Sequence, residues 1–264
     1  MSLLSETFAT TRAEGRAALV GYLPAGFPSA AEAVAVIAAM VENGVDIVEV
    51  GLPYSDPLMD GPVIQSAVDT ALAGGTRIRD VFACVAATAA SGAPALVMSY
   101  WNPIERYGTV RFADELAAAG GVGVITPDLT PEEAGEWIAA TDAARLDRVF
   151  LVAPSSTDER IQTVAGVTTG FVYAASTMGV TGVRTAVSGA AEQLVARVRA
   201  ATTLPVCVGL GVSTGAQAAE VAGYADGVIV GSAFVRAVQS ADSPAAARAA
   251  VGRLSRELAA GVRG

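Results

Sequence analysis

Two acidic side chains, one on a predicted strand and one in the loop that follows it, are candidates for the chemistry of this chain. Glu49 lies between Val48 and Val50, and strand alternation turns it away from these apolar neighbours. Burial of such a carboxyl group raises its pKa into the range where it exchanges protons. Glu49 is therefore a candidate catalytic acid or base, although an exposed or ion-paired glutamate fits the same pattern.

Asp60 is the second candidate, in the loop that follows the same strand. Proline and glycine make this loop stiff, and they occur at Gly51, Pro53, Pro57, Gly61 and Pro62. A stiff loop holds a side chain in place for chemistry. An aspartate that only stabilises a turn is an equally good interpretation of Asp60 at this point, and Asp56 has the same ambiguity.

The amino-acid composition excludes several other catalytic mechanisms. The 264 residues include no histidine, and the 17 basic residues are all arginine. Schiff-base chemistry and covalently held pyridoxal phosphate need lysine, and a Ser-His-Asp triad or histidine-bound zinc needs histidine. Two cysteines are too few for a disulfide framework or a cysteine metal site. We therefore expect no cofactor and no metal.

Charge and hydropathy argue against a nucleic-acid-binding protein and against a membrane protein. A net charge of −9 argues against nucleic acid or an anionic membrane as the main partner. The chain is 52% hydrophobic, but its longest apolar run, 33–41, is far shorter than the roughly 18 residues of a membrane span. The first residues lack the pattern of a secretory signal, which predicts a cytoplasmic protein.

Short β-branched runs alternate with alanine-rich helical patterns along the whole chain. The predicted strands are 18–22, 47–50, 95–99, 122–126, 148–152, 171–174, 206–208 and 227–230. The predicted helices include 30–43, 110–120, 131–141, 158–165, 190–201 and 214–222. Eight units of about 33 residues favour a parallel (β/α)8 barrel, of the TIM-barrel type, over a doubly wound open sheet.

No polar linker divides the chain, so we predict a single domain over residues 1–264. The first fifteen residues predict an extra N-terminal helix that could plug the bottom of the barrel. The segment 244–262 predicts a last amphipathic helix in the outer ring.

Barrel enzymes carry their functional residues at the carboxyl ends of the strands. Glu49 would then face the barrel mouth, and two glycine-containing turns, 209–213 and 231–235, would follow the last two strands. Backbone N–H groups in such turns bind phosphate without any lysine. Simple turn glycines are the alternative interpretation.

The segment 175–189 is long and rich in glycine, threonine and serine, which is typical of a lid that closes over a substrate. A plain surface loop has the same composition. Tyr173, just before this segment, has a hydroxyl that could reach the site, although a tyrosine on a barrel strand more often serves packing.

The strand and loop from Glu49 to Gln65 closely resemble the signature of the tryptophan synthase α subunit family. The resemblance extends through 19–28, 98–104 and 179–182 to 231–233, and so covers essentially the whole chain. It implies cleavage of indole-3-glycerol phosphate to indole and glyceraldehyde 3-phosphate. It makes Glu49 the acid–base catalyst and Asp60 the residue that binds the indole N–H.

The resemblance also implies binding residues and a partner. Tyr173 would contact the substrate, and Tyr22 would flank the indole. The lid residue Thr181 would meet Asp60 when the lid closes. The residues that would bind the phosphate are Gly182, Gly211, Gly231 and Ser232. Many relatives carry an arginine near Thr177, and this chain does not. The implied partner is a β subunit in an αββα heterotetramer that receives indole, with Pro53, Asp56 and Asn102 near the interface.

Three other functions fit parts of the pattern. An isomerase or epimerase of sugar phosphates would share the phosphate turns, but its relatives use a catalytic lysine or histidine-bound metal. A regulatory barrel without useful turnover would not need both carboxylates. A free-standing lyase that releases indole would have the same site and differ only in its activity without a partner.

Overall fold

Parallel β-strands form one sheet that curls into a nearly closed barrel. The computed structural model describes residues 2–175, 184–209 and 211–264. The strands in these residues are β1 (Ala18–Pro24), β2 (Ile47–Gly51), β3 (Ala95–Met98), β4 (Gly123–Ile125), β5 (Asp147–Val149), β6 (Leu151–Val152), β7 (Val172–Ala175), β8 (Val206–Gly209) and β9 (Gly227–Val230). Their order in the sheet is β5-β4-β3-β2-β1-β9-β8-β7-β6. The predicted eightfold barrel is confirmed.

The barrel closes at Phe150, the one residue between β5 and β6. The carbonyl of Val149 accepts a hydrogen bond from Thr126 N, on the β4 side, at 3.2 Å. The carbonyl of Phe150 accepts one from Tyr173 N, on the β7 side, at 3.2 Å. The predicted single strand 148–152 is thus two short strands, because its pairing changes from one neighbour to the other at Phe150. The single domain over 1–264 stays a prediction.

Helices follow the strands and form the outer layer. In the described residues they are α1 (Leu3–Ala13), α2 (Ala30–Glu42), α3 (Pro62–Ala73), α4 (Ile78–Ala90), α5 (Trp101–Tyr107), α6 (Thr109–Ala118), α7 (Gly135–Ala144), α8 (Asp158–Val167), α9 (Arg184–Ala201), α10 (Gly215–Ala222), α11 (Ser232–Gln239) and α12 (Pro244–Arg263). The prediction placed the start of α7 too early, at 131, because residues 131–133 form a turn. The predicted helices did not include α3, α4, α5 or α11.

Two apolar clusters fill the molecule. The larger lies between the strands and the outer helices and includes Leu19, Val48 and Val50. The smaller lies inside the barrel and takes the alternate strand residues, such as Val20 and Ile47. Because successive side chains on a strand point to opposite faces, every second strand residue belongs to the interior.

Helix α1 closes the bottom of the barrel, as predicted. Its Leu4 and Phe8 are buried in the interior cluster, and the Phe8 ring packs edge-on against Phe171 with centroids 5.9 Å apart. Ser2 caps the helix and its hydroxyl donates to the Asp147 carboxylate at 2.7 Å. The interior is therefore sealed at this end, and the strands open only at their carboxyl ends.

Replacement of Phe8 by alanine tests the role of α1 as a plug. Phe8 is 4% exposed, so Phe8→Ala should lower the free energy of unfolding by about 3–5 kcal/mol through lost burial and a cavity. Urea unfolding followed by circular dichroism measures this change. Leu3→Ala on the same helix is the control, because Leu3 is 41% exposed and its loss should be within about 0.5 kcal/mol. Equal effects of the two substitutions would contradict the plug.

Candidate active site

Strand β2 places Glu49 inside the barrel. Ile47 belongs to the interior cluster, so the alternation of the strand directs Glu49 to the same face, one layer nearer the carboxyl end. Glu49 is in register with Tyr22 of β1 and Leu96 of β3. It is 1% exposed, at the inner end of the barrel mouth. This is the orientation that the sequence alternation predicts.

Burial dominates the chemistry of Glu49. Its Oε1 atom is buried and has no hydrogen-bond partner. Desolvation raises the pKa of Glu49 from 4.5 to about 8. The chain has no lysine or histidine, and no arginine in its described residues forms an ion pair with Glu49. At neutral pH Glu49 is therefore protonated and is placed to donate a proton.

Asp60 lies in the loop between β2 and α3 and is held there by its neighbours. Burial raises the pKa of Asp60, and a hydrogen bond with the Tyr100 hydroxyl lowers it in part. The Tyr100 hydroxyl also accepts a hydrogen bond from the backbone N–H of Met59 at 2.9 Å. Gln65 Nε2 donates to the Asp60 carbonyl at 2.6 Å. These contacts fix the Asp60 loop against the start of α5.

Tyr100 is a site residue that the sequence interpretation missed. It comes two residues after the end of β3, where the barrel rule places functional side chains, and that position is the signal that could have identified it. Burial raises the pKa of Tyr100 to about 12, so its hydroxyl keeps its proton at neutral pH. It can therefore donate a hydrogen bond to the Asp60 carboxylate throughout a reaction.

Tyr22 and Tyr173 line the interior beside Glu49. A Cβ atom at Gly51 would lie 2.5 Å from the Tyr22 hydroxyl, and one at Gly209 would lie 2.4 Å from the Tyr173 hydroxyl. Glycine at these two strand ends therefore makes room for the two phenol groups. Burial, with the charges of Glu49 and Asp60 added, raises the pKa of both tyrosines well above 10. Both stay neutral around the carboxyl pair.

The two predicted phosphate turns lie after β8 and β9. Gly211 has φ +66°, a conformation that glycine adopts without strain. Gly231 is the N-cap of α11, and no side chain caps this helix. The first N–H groups of a helix lack intrahelical partners, so those at Ser232 and its neighbour are available to an anion. Thr181, Gly182 and the greater part of the predicted lid lie outside the described residues.

The residues expected near a partner are on one surface of the barrel mouth. Pro53 is buried, whereas Asp56 and Asn102 are exposed. Asn102 Nδ2 donates to the Tyr54 hydroxyl at 2.8 Å, and the Tyr54 ring lies 5.6 Å from the ring of Tyr100. This surface is thus connected by direct contacts to the residues that hold Asp60.

In the described part of the chain, no group of three or more cysteine and acidic residues is arranged to hold a metal ion. No helix among the same residues has the length and apolar character needed to cross a membrane.

Comparison with known proteins decides the family. The family model described as "Tryptophan synthase alpha chain" matches residues 8–263. The chain belongs to the tryptophan synthase alpha chain family. As an alpha chain it is a subunit of an enzyme.

Relatives of this family match over their full length. The tryptophan synthase alpha chains of Thermobifida fusca and Nocardia farcinica are each 61% identical to this chain. The alignments cover 100% of this chain and 98% of the first relative, and 99% of this chain and 96% of the second. The signature from Glu49 to Gln65 is therefore part of a similarity that extends over nearly every residue.

Solved structures agree with the sequence comparison. Tryptophan synthase from M. tuberculosis in its aminoacrylate-bound form is similar with a TM-score of 0.90 and 53% identity, over 99% of this chain and 100% of that one. Tryptophan synthase subunit alpha from Legionella pneumophila has a TM-score of 0.90 at 31% identity, over 99% of this chain and 98% of that one. The alpha chain barrel is thus retained in more distant sequences.

The raised pKa of Glu49 predicts how the stability of this alpha chain depends on pH. Below pH 4.5 the carboxyl group is protonated in the folded and unfolded states alike. Between 4.5 and about 8 the unfolded chain loses this proton and the folded chain keeps it, so Glu49 lowers the free energy of unfolding increasingly, by several kcal/mol in all. Glu49→Gln removes this dependence.

Urea unfolding of the wild type and Glu49→Gln at about pH 5 and about pH 9 measures the effect. The stability of the variant relative to the wild type should increase toward high pH, because only the wild type is destabilised by the buried Glu49 proton. The contributions of all other titrating groups cancel in the comparison. A difference that stays constant with pH would show that Glu49 titrates like an exposed glutamate.

Proposed function

We propose that this chain cleaves indole-3-glycerol phosphate to indole and glyceraldehyde 3-phosphate, and that the indole passes to a β subunit for L-tryptophan synthesis. The observation that carries the proposal is the buried Glu49, whose Oε1 atom has no hydrogen-bond partner, at the mouth of an alpha chain barrel. The reaction is a carbon–carbon lyase reaction, and a cytoplasmic location remains part of the proposal.

Cleavage of the bond between the indole ring and the glycerol chain needs an acceptor for the bonding electrons. A lysine iminium is one such acceptor, and the sequence has no lysine. The substrate can supply the acceptor itself. Protonation of indole C3 produces a ring with a C=N⁺ bond, which takes up the electron pair when the side chain leaves.

Glu49 performs both proton transfers in this scheme. The carboxylic acid, protonated because it is buried, first donates its proton to indole C3. The resulting carboxylate then takes the proton of the adjacent side-chain hydroxyl. The hydroxyl-bearing carbon becomes an aldehyde, the bond to C3 breaks, and its electrons restore the aromatic indole. Glu49 ends protonated, and general acid–base catalysis of this kind contributes on the order of 10²–10⁴ in rate.

Asp60 stabilises the charged intermediate. Its carboxylate accepts a hydrogen bond from the ring N–H, which becomes more acidic and carries positive charge once C3 is protonated. The Tyr100 hydroxyl and the Met59 backbone contact hold the Asp60 loop at the mouth. A charge that is fixed before the reaction stabilises the transition state without reorganisation.

The remaining site residues bind the two ends of the substrate. The phosphate lies on the backbone N–H groups of Gly182, Gly211, Gly231 and Ser232. The ring of Tyr22 flanks the indole, the Tyr173 hydroxyl contacts the glycerol chain, and Thr181 meets Asp60 when the lid closes. No cofactor is needed for these steps.

The β subunit binds the surface that carries Pro53, Asp56 and Asn102, in an αββα assembly. Asn102 lies in direct contact with Tyr54, which stacks near Tyr100. These contacts support a connection between partner binding and the position of Asp60.

The direct test is release of glyceraldehyde 3-phosphate from indole-3-glycerol phosphate by the purified chain, alone and with a β subunit. We expect slow turnover alone that increases strongly with the partner. Fast turnover alone would instead indicate a free-standing lyase, and no turnover in either condition would indicate a regulatory barrel.

Glu49→Gln should reduce turnover by about 10²–10⁴ in both conditions, because the amide cannot donate and recover a proton. Glu192→Gln makes the same change on the exposed side of α9 and should leave turnover unchanged. Circular dichroism confirms that both variants are folded. Near-normal turnover of Glu49→Gln would contradict the mechanism.

A further inference from the structure

A groove with a volume of about 520 Å³ lies between α11 and α12, two helices of the outer layer. Its lining includes Ala233 and Arg236 of α11, Arg253 of α12, and Ser213, which comes before α10. We call it the α11–α12 groove. None of these residues belongs to the barrel interior that encloses Glu49, and the proposed chemistry does not use them.

The α11–α12 groove adjoins both predicted phosphate turns. Ser213 is the last residue of the turn 209–213, and Ala233 lies in the turn 231–235. Arg236 follows Ser232 by four residues, which is about one turn of helix α11. The lining of the groove thus begins next to the N–H groups on which the phosphate is expected.

Two arginines give the groove its charge. Arg236 and Arg253 are exposed, and neither forms an ion pair with a carboxylate of the described residues. In the same part of the chain the lining includes one carboxylate, that of Asp242. Because arginine stays charged at every physiological pH, two guanidinium groups against one carboxylate leave the groove positive.

The expected phosphate site has no basic side chain of its own. The turns 209–213 and 231–235 contain no arginine, and the whole chain has a net charge of −9. Asp56 and Asp128, in the loops after β2 and β4, add exposed carboxylates beyond the carboxyl ends of these strands. Such a surface repels a phosphate dianion, and a positive region beside the turns counteracts the repulsion.

A second group of exposed arginines does not adjoin the turns. Arg77 and Arg106 lie beside Pro53 and Asn102, on the surface proposed for the β subunit. Among the described residues, the lining there includes none from 209–213 or 231–235. That group is therefore not placed to deliver an anion to the turns.

We propose that Arg236 and Arg253 form an encounter site for the phosphate end of the substrate, which they attract from solution before it reaches the two turns. The proposal rests on the proposed function, which supplies a phosphorylated substrate. Both arginines are exposed, so the phosphate stays hydrated in the groove and passes on to the N–H groups of α11. The substrate thus enters with its phosphate toward α11 and its uncharged indole toward Asp60.

The test is the rate constant for association of indole-3-glycerol phosphate, measured by stopped flow from the fluorescence of its indole ring. The Glu49→Gln background slows cleavage, so that binding is observed alone. In this background, Arg236→Gln with Arg253→Gln removes both positive charges of the groove. The rates are measured at about 0.1 M and about 1 M salt, where the screening length is about 10 Å and about 3 Å.

The matched control is Arg145→Gln with Arg263→Gln, two exposed arginines without an ion pair in the described residues. Both lie at the amino ends of the strands. Arg145 comes two residues before β5, and Arg263 lies close to Gly44, which comes three residues before β2. The two pairs change the net charge equally, and circular dichroism shows whether each variant is folded. Free indole is a second control, because it carries no phosphate.

We expect loss of the groove arginines to slow association at least about threefold at the lower salt concentration and less than about 1.5-fold at the higher one. Dissociation should change less than about twofold, because the attraction acts before the phosphate reaches the turns. The control pair should change association less than about 1.5-fold, and indole should bind all variants at the same rate. Arg236 also lies in the last turn of α11, where a positive charge stabilises the helix. That structural role alone would not depend on the charge of the ligand.

Equal effects of the two pairs would overturn the encounter site and leave the proposed function intact. Unchanged association with faster dissociation would also overturn it, because the arginines would then contact the phosphate in the bound state. A wild-type chain that neither binds nor cleaves the substrate would overturn the proposed function itself.

Discussion

The desolvation of one carboxyl group is the constraint on which the structure of the site depends. Glu49 is enclosed by the strands of the barrel, one of its oxygens has no partner, and the sequence offers neither lysine nor histidine to neutralise it. Keeping the proton is the least unfavourable state for such a group. The neighbouring phenols are neutral as well, so the resting site holds little charge beyond that of Asp60. Burial in the barrel thus keeps Glu49 protonated at neutral pH, where an exposed glutamate would be ionised.

The rest of the fold holds that group in place. The α1 plug seals the far end of the interior, and the change of pairing at Phe150 closes the sheet around it. The carboxyl ends of the strands are the end of the barrel that α1 does not cover. Asp60, by contrast, lies on a loop and depends on Tyr100 and the Met59 backbone for its position. Glu49 is thus held by the sheet, and Asp60 is held by contacts between loops.

The strands are predicted well from the sequence, because short β-branched runs alternate regularly with alanine-rich helical segments. The sequence also predicts the inward orientation of Glu49, since alternation is a local property. The division of 148–152 at Phe150 was not predictable, because it depends on which neighbours pair with each residue. Helix α3 was not predicted because it begins at Pro62, inside a segment whose prolines and glycines indicate a loop, and α5 was not predicted because it has only seven residues. The role of Tyr100 depends on its contact with the backbone of Met59, a residue that is distant from it in sequence.

The roles proposed for the site residues come from the family resemblance, and several features of the structure are compatible with them. Glycines at Gly51 and Gly209 accommodate the two phenols, and an uncapped helix start at Gly231 faces the mouth. Backbone N–H groups at a helix start can bind an anion without a basic side chain, which is consistent with a chain that contains no lysine.

The most direct measurement is the titration of Glu49 itself. The infrared absorption of the protonated carboxyl group, taken as the difference between the wild type and Glu49→Gln, reports this one proton in the unliganded protein. We expect the band to persist at neutral pH and to disappear with a midpoint near pH 8. A midpoint near 4.5 would show that Glu49 is ionised at rest, and it would contradict the assignment of Glu49 as the initial proton donor.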